Sequence, residues 1–135
     1  MQITLPWPPT VNTYWRHAPI RYGRGVVVYI SKAGRAYRKT VGKMVLEQDA
    51  YKILTCRLSC LILASPPDAR KRDLDNILKA LLDAMEHAGV YENDEQIDDL
   101  HVLRAPPMKG GQVVVCLEEC TRLHGHEPAQ EELLA

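Results

Sequence analysis

Apolar and polar positions follow two periods along this chain, and each period predicts a set of elements. The period of two predicts strands. Ile3 and Leu5 flank Thr4 in a short one, which Pro6, Pro8 and Pro9 interrupt. The turn-like Gly23-Arg24-Gly25 leads into Val26 to Ile30, a strand by its β-branched and aromatic composition. Cys56 to Ala64 reads as a third strand, closed by Pro66-Pro67-Asp68. Ile97 to Arg104 and Gln112 to Leu117 follow as two more, joined by a turn over Pro106 to Gly111. The helical period appears twice. Ser31 is a fitting N-cap for a helix from Lys32 to Tyr51, with Ala33, Tyr37, Val41, Met44, Val45 and Gln48 along one side. The second helix runs from Leu74 to Ala88 on the stripe Leu74, Ile77, Leu78, Leu81, Leu82 and Met85. Its last turn holds His87, and Gly89 stands at C′. The predicted order is β-β-α-β-α-β-β. This is an α+β fold with a mixed β-sheet and two main helices, occupying residues 1–120. Residues 121–135 contain helix-permissive Glu and Leu but little apolar patterning, and are expected to form a loosely attached tail.

Composition narrows the class. At 135 residues and 46% hydrophobic content the chain can bury a core and is not a disordered one. No apolar run approaches the ~20 residues that span a bilayer. The opening Gln2-Ile3-Thr4-Leu5-Pro6-Trp7 lacks the basic and long apolar regions of a signal peptide, so a cytoplasmic protein with no membrane contact is expected. The cysteine pairs Cys56/Cys60 and Cys116/Cys120 lie on β-branched stretches, where buried reduced thiols suit them better than zinc or a disulfide.

Zero net charge hides a marked asymmetry. Residues 1–46 carry Arg16, Arg21, Arg24, Lys32, Arg35, Arg38, Lys39 and Lys43 and no acid, whereas the remainder holds all 17 acidic residues. A basic half of this kind suits a polyanion. On the first long helix Lys32, Arg35, Lys39 and Lys43 line the side opposite the apolar stripe, without interleaved acids to make i,i+4 pairs. They are read as a phosphate-facing stripe, together with Arg16, Arg21 and Arg24 in the segment before it.

The candidate chemistry sits in Lys71-Arg72-Asp73-Leu74-Asp75-Asn76-Ile77-Leu78-Lys79. Two carboxylates this close repel unless a cation separates them. Asp73 as N-cap and Asp75 favoured by the helix dipole would account for both acids without catalysis. Equally, carboxylates at a helix start, beside the cations Arg70, Lys71 and Arg72, which are read as further DNA-phosphate contacts, suit Mg²⁺ shared between protein and phosphate oxygens. Asp75, Lys79 and Asp83 share a helix face, and more acids, Asp94 among them, follow the helix. On residue chemistry alone both readings stand.

A set of motifs adds to this. Leu5-Pro6-Trp7-Pro8-Pro9 precedes Asn12, Tyr14 and Arg16. Then come Ser31 to Arg38 (SKAGRAYR), Arg72-Asp73-Leu74-Asp75-Asn76 with Lys79, Asp94-Glu95-Gln96-Ile97, and Lys109-Gly110-Gly111. In this order and spacing the chain resembles the RusA family of Holliday junction resolvases, from residue 2 to about residue 119. The resemblance implies a homodimeric, Mg²⁺-dependent endodeoxyribonuclease. Such an enzyme nicks two opposed strands of four-way junction DNA, in recombination and repair. It implies Asp73, Asp75 and Asp94 as the essential acids and metal ligands, and Lys79 as the essential lysine, suited to a phosphate oxygen.

A two-fold symmetric junction suits a C2 dimer with two equivalent centres. A helix of ~15 residues rises roughly 22 Å. The steps from Ala88 to Asp94 span at most roughly 20 Å. Asp94 is therefore expected to complete the site of the partner subunit, the alternative being a strand that runs straight back along the helix and brings it to its own Asp75. Trp7, Trp15, Tyr14 and Tyr22 are candidates for stacking on unpaired bases, with packing favoured for Trp7. His17 is expected as an exposed loop histidine. Two alternatives run beside this reading: an aspartyl-phosphate phosphatase, disfavoured by the prolines separating the acids from the preceding strand, and a junction-binding protein that does not cut.

Overall fold

A computed structural model describes residues 1–121; apart from Thr121, the expected tail lies outside them. The elements run β1 (Gln2–Pro6), α1 (Val11–Tyr14), β2 (Trp15–Pro19), β3 (Val26–Ile30), α2 (Lys32–Glu47), β4 (Leu58–Ser65), α3 (Asp75–His87), a 3-10 turn (Asp94–Gln96), β5 (Ile97–Arg104) and β6 (Gln112–Glu119). Four strands form one sheet in the order β1-β6-β4-β5, and β2 with β3 form a separate ribbon. β4 and β5 run parallel, linked through α3, while the remaining pairs are antiparallel. The α+β class and the mixed sheet are those the periodicity predicted. No helix among the described residues is long and apolar enough to cross a membrane.

The core lies between one sheet face and the helices α2 and α3. Alternation buries Ile3 and Leu5 of β1, Leu58, Cys60, Ile62 and Ala64 of β4, and Val113, Val115 and Leu117 of β6. Against them sit Tyr37, Val41 and Val45 of α2 and Ile77, Leu81 and Met85 of α3. Burying each large aliphatic side chain stabilises the fold by about 1.5–3 kcal/mol. All four cysteines are free thiols, and burial pushes that of Cys60 up to about 12.

Where the elements depart from the sequence pattern, side-chain chemistry gives the reason. α2 stops at Glu47 rather than Tyr51 because the chain turns through Asp49, at φ 54°. Gln48 then reaches across to β1, accepting from Thr4 N at 2.9 Å and donating to Thr4 O at 2.8 Å. The third strand begins at Leu58, not Cys56, since Gln96 Nε2 takes the carbonyls of Leu54 and Cys56. Gly34, not Ala33, carries the buried stripe of α2. A Cβ on Gly34 would stand 2.6 Å from Tyr14 O, so its absence lets α1 seat directly on α2. Ser31 does cap α2, accepting from Gly34 N at 3.0 Å, while its hydroxyl donates to Thr13 O.

The unanticipated β2 explains why His17 is a strand residue rather than a loop one. Tyr14 is fully buried and so unable to stack on a base, as the sequence pattern allowed. Trp7 packs against Gly111, where a Cβ would stand 2.8 Å away.

Candidate active site

The start of α3 is built by the loop before it. Arg72 Nη1 donates to Asp68 Oδ1 at 2.6 Å, Arg70 N donates to the same oxygen at 2.9 Å, and Arg104 Nη2 holds Arg72 O at 2.7 Å. The Arg72 hydrogen bond first, then the Arg70 backbone, hold the Asp68 carboxyl well below the usual carboxylate range. Arg70 Nε also lies 3.3 Å from Asp68 Oδ2. Of the cations before the acid pair, Arg72 is half-buried and engaged with Asp68, Arg70 meets the same carboxylate from the exposed surface, and Lys71 is exposed with no partner among the described residues.

Asp73 does not cap α3. The cap position is Leu74, in helical conformation and without a side-chain bond, and Asp73 contributes only its carbonyl to Asn76 N at 3.3 Å. Asp73, Asp75 and Lys79 are exposed, and none of the three side chains has a hydrogen bond or ion pair among the described residues. The loop therefore presents two uncompensated carboxylates with a lysine one turn on. β4 ends at Ser65, and residues 66–72 intervene before the acids, unlike the strand-end acids of aspartyl-phosphate chemistry.

Asp83, next along the same face, serves a different purpose. Arg38 Nη2 donates to it at 2.7 Å, Arg38 Nε at 3.1 Å, and the Tyr14 hydroxyl donates as well. This joins α1, α2 and α3. Burial first, and then the Asp83 hydrogen bond, raise the Tyr14 phenol above its ordinary range.

Asp94 opens the 3-10 turn, which is held by Gln96 of the same motif together with Asn93 and Arg57, two residues outside it. Asn93 accepts from Glu95 N at 2.9 Å, and its own N–H donates to Gln96 Oε1 at 2.7 Å. Gln96, buried, spends its amide N–H groups on Leu54 O and Cys56 O. Arg57 clamps the turn from outside, donating to Asp98 Oδ2 at 2.9 Å, Glu95 Oε1 at 3.1 Å and Glu95 O at 2.8 Å. The Asn93…Gln96 spacing is a capping box and was the available signal. The partners of Arg57 lie far away in sequence and left none.

Asp94 N donates to Glu86 Oε1 at 2.8 Å, which ties the turn to the last turns of α3. Glu86 stands about three turns, roughly 16 Å, along the helix from Asp75. Among the described residues no group of three His, Cys, Asp or Glu side chains is placed to hold a metal ion. Asp73 and Asp75 are near neighbours in the chain and both exposed at the start of α3, whereas Asp94 forms no three-acid group with them among the described residues.

The predicted phosphate face is present as a surface. Lys32, Arg35, Lys39 and Lys43 of α2 are exposed, as are Arg16, Arg21 and Arg24 on and beyond β2. Lys43 does have an acid at i+4, Glu47 at 3.7 Å, a solvent-screened contact that leaves the stripe basic. Arg35, Lys39, Lys43 and His87 line a groove of about 550 Å³ with Ile30, Leu46 and Tyr51.

Residues 6–118 match the family model described as "Endodeoxyribonuclease RusA". The crossover junction endodeoxyribonuclease rusA of Enterobacteria phage HK97 is 43% identical over 118 residues, covering 87% of this chain and 93% of that protein. The crossover junction endodeoxyribonuclease RusA of Escherichia coli strain K12 is 38% identical over 117 residues, covering 87% and 92%. That of Enterobacteria phage 82 is 38% identical over the same length.

Proposed function

Because the chain belongs to the RusA family of endodeoxyribonucleases, we propose that it resolves four-way DNA junctions as a homodimer, by paired Mg²⁺-dependent hydrolysis of phosphodiester bonds. The observation that carries the reading is the exposed pair Asp73 and Asp75, left without a counter-ion while the neighbouring arginines are held by Asp68. Carboxylate oxygens are the donors a hard divalent cation takes. A lone chain offers only two of the three acids at that point. The set fits Mg²⁺ when Asp94 of the partner subunit supplies the third, as an antiparallel pairing of two α3 helices across a two-fold axis allows. A cation held there supplies Lewis acidity toward the phosphate and toward water.

The chain's own residues do the rest. Asp73 and Asp75 sit at the positive end of α3 and keep their carboxylates in solvent, open to an incoming phosphate. Lys79 is free to donate to a non-bridging phosphate oxygen and to offset charge that builds there in the transition state. Arg57, Gln96 and Glu86 fix the turn bearing Asp94. The α2 stripe and the ribbon arginines neutralise backbone phosphates, so branched shape rather than sequence supplies most of the affinity.

Subunit exchange tests this directly. Inactive Asp75→Asn and inactive Asp94→Asn proteins are mixed and given a synthetic four-way junction with Mg²⁺. A shared centre gives heterodimers with one intact site and hence single nicks. No nicking after verified exchange would place each centre within one chain. A wild-type protein that binds the junction but leaves it uncut with Mg²⁺ would favour the non-cutting reading.

A further inference from the structure

The ribbon overlooks the start of α3. His17 of β2 and Val28 of β3 are register partners and so share one side of it, with Trp15 two residues before His17 on the same side. These three, with Val11 and Asn12 of α1 and Lys79 of α3, line a cleft of about 350 Å³. The root of the ribbon is fixed: Tyr14 meets Trp15 edge-on at 5.0 Å, and Gly34 abuts Tyr14 O. Asn12 gives its backbone carbonyl to Arg16, but its side-chain amide has no hydrogen bond among the described residues.

The lining differs in kind from the α2 groove. It has one cation, an aromatic wall, two valines, an imidazole and an amide that offers both a donor and an acceptor. A phosphate alone would leave the apolar walls and the amide unused. A flat heterocycle with a hydrogen-bonding edge uses all of them: its face meets Trp15 and the valines, its edge meets Asn12 and His17, and its phosphate reaches Lys79. Such a base must be out of the duplex stack, which is least costly at a branch point.

Resting on the nuclease reading above, we infer that this cleft captures an unpaired nucleobase beside the phosphate at Asp75 and Lys79, and that Asn12 determines which base is accepted. The enzyme then chooses among the phosphates near the crossover, cutting where the adjoining base fits.

The test uses a pool of four-way junctions randomised around the crossover, cut with Mg²⁺ and sequenced at the new ends. Wild type is expected to favour one base at one position by about tenfold, the size of a good amide–base contact. Asn12→Ala should flatten that preference while still cutting the pool. Asn12→Asp, of equal size but acceptor-only at neutral pH, should change the preferred base. Trp15→Leu should slow cutting at favoured sites. In parallel, 2-aminopurine at the favoured position, or at each position flanking the crossover if no cutting occurs, reports capture without metal. Its fluorescence should change on binding wild type, and less so with Asn12→Ala. Capture without any cutting by wild type would sink the nuclease reading and keep only the base-binding role of the cleft. Cutting with no base preference, or with a preference that survives both Asn12 substitutions, overturns it.

Discussion

The exposed carboxylate of Asp75 and the buried amide of Gln96 represent two ways a residue serves a site. Asp75 has no protein partner among the described residues, so its charge is available only to what binds. Asp75→Asn should abolish cleavage yet leave metal-free junction binding equal or tighter, since one charge repelling phosphate is gone; gel shift beside a nicking assay separates the two. Gln96 acts through others. Gln96→Ala would strip Cys56 O and Asn93 N of their partner and leave Leu54 O with Glu92 N alone, costing about 1–3 kcal/mol by the usual penalty for buried unsatisfied groups. A denaturant midpoint unchanged in Gln96→Ala would show that water replaces those bonds. At this scale the sequence was legible where chemistry is local, as at Ser31 and Gly89. It misled at Asp73, whose capping role was plausible from composition but is not adopted, because the chain is already helical at Leu74.

Elements show what periodicity reads well and what it misses. α2, α3 and the strands β1, β4 and β6 each bury one face, so their patterns are strong. β2 was missed because Trp15-Arg16-His17-Ala18-Pro19 has no apolar alternation; it is a strand by pairing with β3, a tertiary fact. The same logic hid the partners of Asp83, which lie on α1 and α2. The basic face of α2 supports a prediction of its own. Replacing Lys39 and Lys43 together by Ala should weaken binding to all four-way junctions alike. It should also lower the slope of log affinity against log salt by about 1 for each phosphate no longer neutralised. An unchanged slope would leave the stripe a solvated face. Folding should hold, as both side chains point away from Tyr37, Val41 and Val45.

Across the whole molecule, three tyrosines bind the layers together. The Tyr37 hydroxyl donates to Pro6 O at 2.9 Å, that of Tyr91 to Leu82 O at 2.6 Å, and that of Tyr14 to Asp83. Burial, the largest cause for each, raises all three above the ordinary value of 10.0. The neutral form is therefore favoured in the folded state. Their contribution to stability is complete below 10 and is lost as pH rises past it, because the unfolded chain releases those protons first. Urea midpoints should hold up to about pH 9.5 and fall as pH rises past about 10, and fall less in Tyr37→Phe. The Tyr37 contact, together with that of Gln48, has a second consequence, for association between molecules. A strand at the border of a sheet is an open template for a further chain. At β1 that template is filled: Thr4 offers its N–H and carbonyl to the Gln48 amide, Pro6 has no N–H, and Tyr37 takes the Pro6 carbonyl. The protein's own side chains thus seal this border at Thr4 and Pro6. A further strand from another copy cannot pair along that stretch, which leaves the proposed dimer to form elsewhere on the molecule.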